Sequence, residues 1–119
     1  MNLFYCKARV KRFSCKKLYK RLTLLNNEKS PNTKAIHNIL SEIAKRDPVE
    51  YEAEKIEVEV EFSKRHAVRE TSEILDFEIK YNQDYLDQPE SLTDPYERKL
   101  RSAKLEMVQK ELAHRKNRA

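Results

Sequence analysis

Only one short run in this chain has the residue types and spacing of a catalytic motif. Glu78-Ile79-Lys80 matches the Glu-x-Lys half of a pattern common in metal-dependent nucleases. In that chemistry the glutamate and an upstream acid, here Asp76, hold Mg²⁺, and the lysine lies near the attacking water. Such triplets also arise by chance in a chain with 38% charged residues, and no glycine is present to line a cleft. A metal-dependent nuclease is therefore the third of our functional hypotheses.

The other reactive side chains lack the spacing of a catalytic or metal-binding site. His37, His66 and His114 fall on separate segments and form no HxH or HExxH pattern. Cys6 and Cys15 do not form a CxxC pair, which predicts two reduced thiols in a cytoplasmic protein. The absence of glycine excludes the usual glycine-rich phosphate-binding loops. We therefore predict a protein that is not an enzyme and that holds no cofactor and no metal.

Charge is sorted along the 119 residues. Residues 1–30 contain nine bases and one acid, residues 31–95 contain eight bases and sixteen acids, and residues 96–119 contain eight bases and three acids. A basic–acidic–basic order of this size shapes the field that a partner meets, and it favours binding to a charged macromolecule. The chain has no long apolar run and no apolar leader, which predicts a cytoplasmic location in the producing cell or in a host.

Alternating apolar and polar residues predict three strands. These lie over 3–10, 56–62 and 75–81, and the last two are expected to pair as an antiparallel hairpin. In these strands Phe62, Phe77 and Tyr81 are expected to face inward, and Phe4 and Arg9 to lie on opposite faces. Apolar residues at helical spacing predict a helix that begins at Ser14 and another from Ser30-Pro31 to Asp47-Pro48.

A polar linker near 82–93 is expected to lead to a long last helix that begins at Asp94-Pro95, with Glu97 completing a capping box. The sequence therefore predicts a single α+β domain over residues 1–119. Its order is β-α-α-β-β-α, with about three helices on a small three-stranded antiparallel or mixed sheet.

Two of the predicted helices carry cations suited to phosphate groups. The residues that we expect to contact nucleic acid are Lys16, Lys17, Lys20, Arg21, Arg98, Arg101 and Arg115. Each phosphate contact adds salt-dependent affinity because counterions are released. No zinc-finger, RNP1-type or helix-turn-helix pattern is present, so contacts to the backbone or to the shape of the nucleic acid would dominate. A solvated helix face explains the same residues equally well.

The predicted hairpin collects acids on its outer face. They are Glu57, Glu59, Glu61, Asp76 and Glu78. Like charges that face one another destabilise a sheet, so the outward bases of the first strand are expected to pair with them. The functional alternative is an acidic surface that meets a basic protein, as in an inhibitor or adaptor. A divalent-metal site is a weaker alternative because a flat face of carboxylates lacks a cage.

The last predicted helix has a second apolar stripe that a single sheet contact does not need. Its residues are Leu105, Val108 and Leu112. The stripe is expected to pack on a neighbouring helix or, in a homo-oligomer, on another subunit.

Our leading hypothesis is a small non-enzymatic protein that engages nucleic acid or a nucleoprotein complex through basic helix surfaces. The second is the protein-directed inhibitor or adaptor with the acidic hairpin. The glycine-poor, Lys/Glu-rich composition is typical of small accessory proteins of phages and mobile elements, although no motif supports that origin.

Overall fold

The computed structural model describes residues 3–118, and in this range every regular element is helical. The α-helices are α1 (Lys7–Val10), α2 (Cys15–Asn26), α3 (Thr33–Ile43), α4 (Pro48–Ala67), α5 (Ser72–Leu86) and α6 (Pro95–Arg118). Two short 3₁₀ turns, Leu3–Tyr5 and Glu90–Leu92, complete the order. Residues 3–118 contain no strand, so the predicted α+β fold with a three-stranded sheet is wrong.

The predicted strand over 56–62 lies inside helix α4. In a helix, residues two positions apart lie on nearly opposite faces. The apolar residues of an Ile-Glu-Val-Glu-Val-Glu-Phe run can therefore lie on two faces of a helix as well as on one face of a strand. Val58 is fully buried, whereas Phe62, which was expected to face inward, is 49% exposed. A helix satisfies its own backbone hydrogen bonds, and glutamate favours a helix over a strand. Alternation over seven residues was too short to decide between the two.

The predicted strand over 75–81 lies inside helix α5 for the same reason. Leu75 and Asn82 are buried and Ile79 packs on the core, which is the i, i+4, i+7 spacing of one helix face. Phe77 and Tyr81, predicted to face inward, are exposed. The linker predicted near 82–93 begins later, because α5 continues to Leu86.

The predicted strand over 3–10 is replaced by the first 3₁₀ turn and helix α1. Its outward bases therefore form no ladder beside the acids of a sheet, and that expected compensation is wrong.

Helix starts follow the local rules that the sequence displays. The Ser14 Oγ accepts a hydrogen bond from the Lys17 N–H at 3.1 Å, which confirms the predicted start of α2. The Asp94 Oδ2 accepts one from the Glu97 N–H at 2.9 Å, and α6 begins at Pro95 as predicted. The expected capping box does not close, because the Asp94 N–H donates to the Tyr85 hydroxyl. Helix α3 begins after Asn32, two residues later than the predicted Ser30-Pro31 start.

Helix ends are unusual because the chain has no glycine. In the part of the chain that is described, no residue has positive φ, and the caps that follow α1, α2, α3 and α5 all have right-handed helical angles. The left-handed cap that usually satisfies terminal carbonyls is therefore not used. Arginine side chains donate to carbonyls at or near the ends of α1, α4 and α5. The pairs are Arg46 with Lys11 and Phe13, Arg98 with Leu86 and Gln88, and Arg115 with Ala67.

The chain divides into two compact units. Unit 1 is Met1–Val58 and unit 2 is Glu59–Ala119. The core of unit 1 consists of buried residues from α1, the following loop, α2 and α3, namely Val10, Phe13, Leu18, Leu25, Ala35 and Ile39. The core of unit 2 contains Ala67, Leu75, Met107 and Val108. Each unit thus has a buried cluster of its own.

Candidate nucleic-acid interface

Three cations gather round one aromatic ring in unit 1. The Arg9 Cζ, the Lys17 Nζ and the Arg21 Cζ lie 5.2, 5.2 and 5.1 Å from the centroid of the Phe4 ring. The Lys17 Nζ is also 4.3 Å from the centroid of Phe13. Cation–π attraction of this kind contributes about 0.5–1 kcal/mol at exposed sites. It brings together cations from two different helices.

The ring that holds these cations is itself fixed by packing and by hydrogen bonds. Phe4 contacts Tyr5 edge-on, with the ring centroids 4.9 Å apart, and Phe13 at 5.5 Å. The Asn38 Nδ2 donates to the Tyr5 carbonyl oxygen at 3.0 Å, which ties the N-terminal turn to α3. The Arg46 Nη2 donates to the Phe13 carbonyl oxygen at 2.7 Å. The cations therefore lie on an ordered support.

Three cations at this site lie close together and form no ion pair within residues 3–118. The first acid in the sequence is Glu28, and within residues 3–118 no carboxylate forms an ion pair with Arg9, Lys17 or Arg21. Groups that each lie within 5.2 Å of one centroid are at most 10.4 Å apart. At that distance each pair repels by about 0.4 kcal/mol even in bulk water. A bound anion would remove this repulsion.

The start of α2 has charges opposite to those that its dipole favours. Helices α4, α5 and α6 each carry an acid in the first turn, namely Glu50, Glu73 and Glu97. Helix α2 has no acid there and begins instead with Lys16 and Lys17. A cation at a helix N-terminus is unfavourable by roughly 0.3–1 kcal/mol, whereas an anion is stabilised. The local field therefore favours a negative ligand.

The predicted cations of α2 share this face, and we call the set of Arg9, Lys16, Lys17, Lys20 and Arg21 the basic surface. Lys20 is exposed, one turn after Lys16 and Lys17. Lys16 forms an ion pair with Glu57, with side chains 36% and 58% exposed. Such an exposed pair contributes little to stability.

The three other cations predicted to contact nucleic acid lie in unit 2, and their donors are engaged there. Arg98 donates to carbonyl oxygens that follow α5. Arg101 donates to Glu97 and Asn82, and its guanidinium lies 4.7 Å from the Tyr81 ring centroid. Arg115 donates to Glu111, to Ser72 and to the end of α4. These side chains hold helices together, and we leave them out of the interface.

The acids predicted for one flat face are distributed over two helices. Glu57 on α4 pairs with Lys16, and Glu61 on the same helix is exposed. Glu59 is half-buried, as is Glu78 on α5, whereas Asp76 is exposed. The hairpin that was to align them is not formed, so the predicted acidic sheet face does not exist.

The nuclease triplet lies on α5, and its members have different surroundings. Glu78 lines a cleft of about 330 Å³ together with His66, Asn82 and Lys104, whereas Lys80 is exposed. Burial raises the pKa of Glu78 above its ordinary value, repulsion from Glu70 raises it further, and Lys104 opposes the shift. Glu78 and Lys80 therefore do not face one cleft from a strand, as the nuclease pattern requires.

One group of possible metal ligands occurs within residues 3–118. The Cys15 Sγ and carboxylate oxygens of Glu50 and Glu54 lie within 4.8 Å of one another. Burial raises the pKa of the Cys15 thiol, and a hydrogen bond to Glu54 raises it further, which disfavours the thiolate that a metal needs. The Arg46 Nη1, 3.7 Å from the sulfur, occupies the same neighbourhood with a positive charge. We therefore read this group as part of the packing around α2.

The second apolar stripe of α6 contributes to the core of unit 2. Val108 is 1% exposed and Leu112 packs against the same buried cluster. Leu105 is half-buried. Much of this stripe is thus covered within the chain, and assembly through it stays a prediction.

Sequence reasoning missed the part that Phe4 and Arg9 play in this interface. They were expected on opposite faces of a strand. The available signal was the absence of any acid in the first 27 residues together with phenylalanines at 4 and 13 among the bases.

Comparison of the chain with protein-family models, curated proteins and solved structures gives no match. Among the described helices, none combines the length and the apolar composition that crossing a membrane requires.

Proposed function

We propose that this protein binds nucleic acid through the basic surface of unit 1. The observation that carries the proposal is the convergence of Arg9, Lys17 and Arg21 on the Phe4 ring with no carboxylate paired to them among residues 3–118. Phosphate groups offset both the mutual repulsion of these cations and the inverted charge at the start of α2. The proposal keeps four of the predicted contacts, those on α2, and adds Arg9.

The basic surface is suited to phosphates more than to bases. Phe13 is 7% exposed, Phe4 is half-buried beneath the cations and Tyr5 is half-buried, so these three rings offer no open platform for stacking. The basic surface contains no asparagine or glutamine to read adenine, and its two arginines, Arg9 and Arg21, which could read guanine, lie against the Phe4 ring. We therefore expect binding that depends little on sequence, in the cytoplasm where reduced thiols such as Cys6 and Cys15 persist.

The expected salt dependence follows from the number of cations. The three cations without an ion pair among residues 3–118, Arg9, Lys17 and Arg21, predict a slope of log K against log salt of about −2.7 on duplex DNA. Affinity should then fall roughly 40-fold between 50 and 200 mM salt. The measurement is fluorescence anisotropy with labelled 20-base-pair DNA, 20-nucleotide single-stranded DNA and 20-nucleotide RNA.

A matched pair of double variants locates the interface. Lys17→Gln with Arg21→Gln should reduce the magnitude of the slope by about 1.8, because two phosphate contacts are lost. Lys64→Gln with Lys116→Gln removes the same charge from exposed positions of unit 2 and should leave the slope unchanged. Undetectable binding at 50 mM salt, or equal effects of the two double variants, would contradict the proposal.

A second control separates nucleic acid from polyanions in general. Poly-glutamate of similar charge offers carboxylates without the regular phosphate spacing. We expect it to compete at least tenfold less well than duplex DNA. Equal competition would show a general anion-binding surface instead of a nucleic-acid interface.

A further inference from the structure

Helix α5 carries an exposed apolar stripe that unit 2 leaves uncovered. Ile74, Phe77 and Tyr81 are 43%, 68% and 57% exposed. At 100° per residue they fall within an arc of about 60° on the helix, next to the face that Leu75 and Asn82 bury. Isolated exposed apolar residues are ordinary, but three on successive turns form a continuous contact strip. We call Ile74, Phe77 and Tyr81 the apolar stripe.

The rings of the apolar stripe are ordered as a platform. Phe77 and Tyr81 stack with centroids 6.5 Å apart and an interplanar angle of 14°. The Arg101 guanidinium lies 4.7 Å from the Tyr81 ring centroid and is itself bonded to Glu97 and Asn82. Because Leu75 on the adjacent face is fully buried in the core of unit 2, α5 is firmly held. A partner would meet a preorganised surface.

Acids border the apolar stripe. Glu73 and Asp84 fall within about 80° of it on one side and are exposed, whereas Glu78 on the other side is half-buried near Lys104. Helix α5 contains four acids and one base, Lys80. An apolar strip with an acidic border is complementary to a helix that has apolar residues on one face and lysine or arginine beside them.

We propose that the apolar stripe of α5 docks a basic amphipathic helix of another protein. The stripe extends over eight residues, which is about 10 Å of helix and matches partner side chains at i, i+3 or i+4, and i+7. At roughly 200 Å² per aromatic ring, Phe77 and Tyr81 expose about 250 Å² together. That area is far below the roughly 800 Å² per partner of a stable dimer, and it fits one short helix.

A second copy of this chain does not supply such a helix. Its two basic helices, α2 and α6, bury their own apolar residues, namely Cys15, Leu18 and Leu25 on α2 and Leu100, Met107 and Val108 on α6. Either helix could present these residues to another molecule only by unfolding. The partner is therefore a different chain, and the inference is independent of nucleic-acid binding at unit 1.

The test uses a fluorescein-labelled 18-residue peptide of leucine and lysine with all leucines on one helical face. We expect a Kd in the micromolar range by anisotropy. A scrambled peptide of the same composition and an amphipathic leucine–glutamate peptide should each bind at least tenfold more weakly. Amide shifts in ¹H–¹⁵N spectra should concentrate at the apolar stripe.

Variants decide whether the stripe is the site. Phe77→Ser should weaken binding of the lysine peptide at least tenfold, because an exposed central aromatic anchor is lost. Leu92→Ser, which removes a side chain that is 74% exposed outside the stripe, should change Kd less than twofold. Glu73→Gln with Asp84→Asn should weaken binding at least threefold.

Three results would overturn the inference. They are equal binding of the lysine and scrambled peptides, no effect of Phe77→Ser, and a labelled oligonucleotide whose affinity falls with Phe77→Ser, which would make the stripe part of a nucleic-acid site. Each is distinct from failure of the basic surface, which Lys17 and Arg21 variants report.

Discussion

Arg98 offers the sharpest test of whether arginine replaces glycine at helix ends. It was predicted to contact phosphate, but its guanidinium donates to the Leu86 carbonyl oxygen at 3.0 Å, to the Gln88 carbonyl oxygen at 3.2 Å and to the Thr93 Oγ1 at 3.2 Å. Pro89, which follows, has no N–H to offer either carbonyl. The substitution Arg98→Met keeps the aliphatic stem and removes all three hydrogen bonds.

The magnitude follows from these three hydrogen bonds. A buried hydrogen bond from a charged donor contributes about 1.5–3 kcal/mol to stability. We take about 1 kcal/mol for each of these three hydrogen bonds because the site is only partly buried. Arg98→Met should therefore lower the free energy of unfolding by about 3 kcal/mol. Arg98→Lys should recover less than half of that, because one ammonium group does not span carbonyls two residues apart.

The assay is urea unfolding followed by far-UV circular dichroism, with hydrogen exchange at the last turn of α5 as a local readout. Lys110→Met is the matched control. It removes a pair with Glu106 whose side chains are 76% and 68% exposed, and it should change stability by less than about 0.5 kcal/mol. If Arg98→Met costs no more than Lys110→Met, or if it reduces DNA affinity of the folded protein like a variant of the basic surface, the capping role is refuted.

Three further predictions concern single residues. Burial raises the pKa of Glu78, so the folded state disfavours the charged carboxylate. This loss of stability is present at neutral pH and vanishes as the pH falls below the ordinary pKa of 4.5. In urea titrations, Glu78→Gln should therefore stabilise the protein at pH 7 but not at pH 4. Leu18 is 0% exposed, and Leu18→Ala should cost about 2–5 kcal/mol, whereas Leu24→Ala at 56% exposure should cost under about 1 kcal/mol by the same measurement. The Cys15 thiol is 3% exposed and its pKa is raised by burial, so it should react with an aromatic disulfide reagent far more slowly than the thiol of half-buried Cys6. Unfolding in urea should abolish this difference in rate. Equal rates in the native protein would contradict the burial of Cys15.

Some features followed from sequence alone because neighbouring residues decide them. Ser14 and Asp94-Pro95 begin helices through side-chain hydrogen bonds within one turn, and these starts were predicted correctly. The uncompensated charge of the N-terminal segment also needs no fold to be recognised, since no acid precedes Glu28. Helix capping and the order of charges depend on residues that are close in sequence, so the sequence alone predicts them.

Tertiary structure decided what those rules leave open. Alternation over 56–62 and 75–81 is compatible with two opposite faces of a helix, and only the wider packing, with Val58 and Leu75 buried, selects between helix and strand. Charged side chains were likewise indistinguishable in sequence. Arg98 and Arg21 have the same chemistry, but one donates to carbonyls that end α5 while the other lies against Phe4 with no ion pair among residues 3–118. Whether a cation is available to a partner depends on acceptors distant in sequence, and the fold alone brings those within reach.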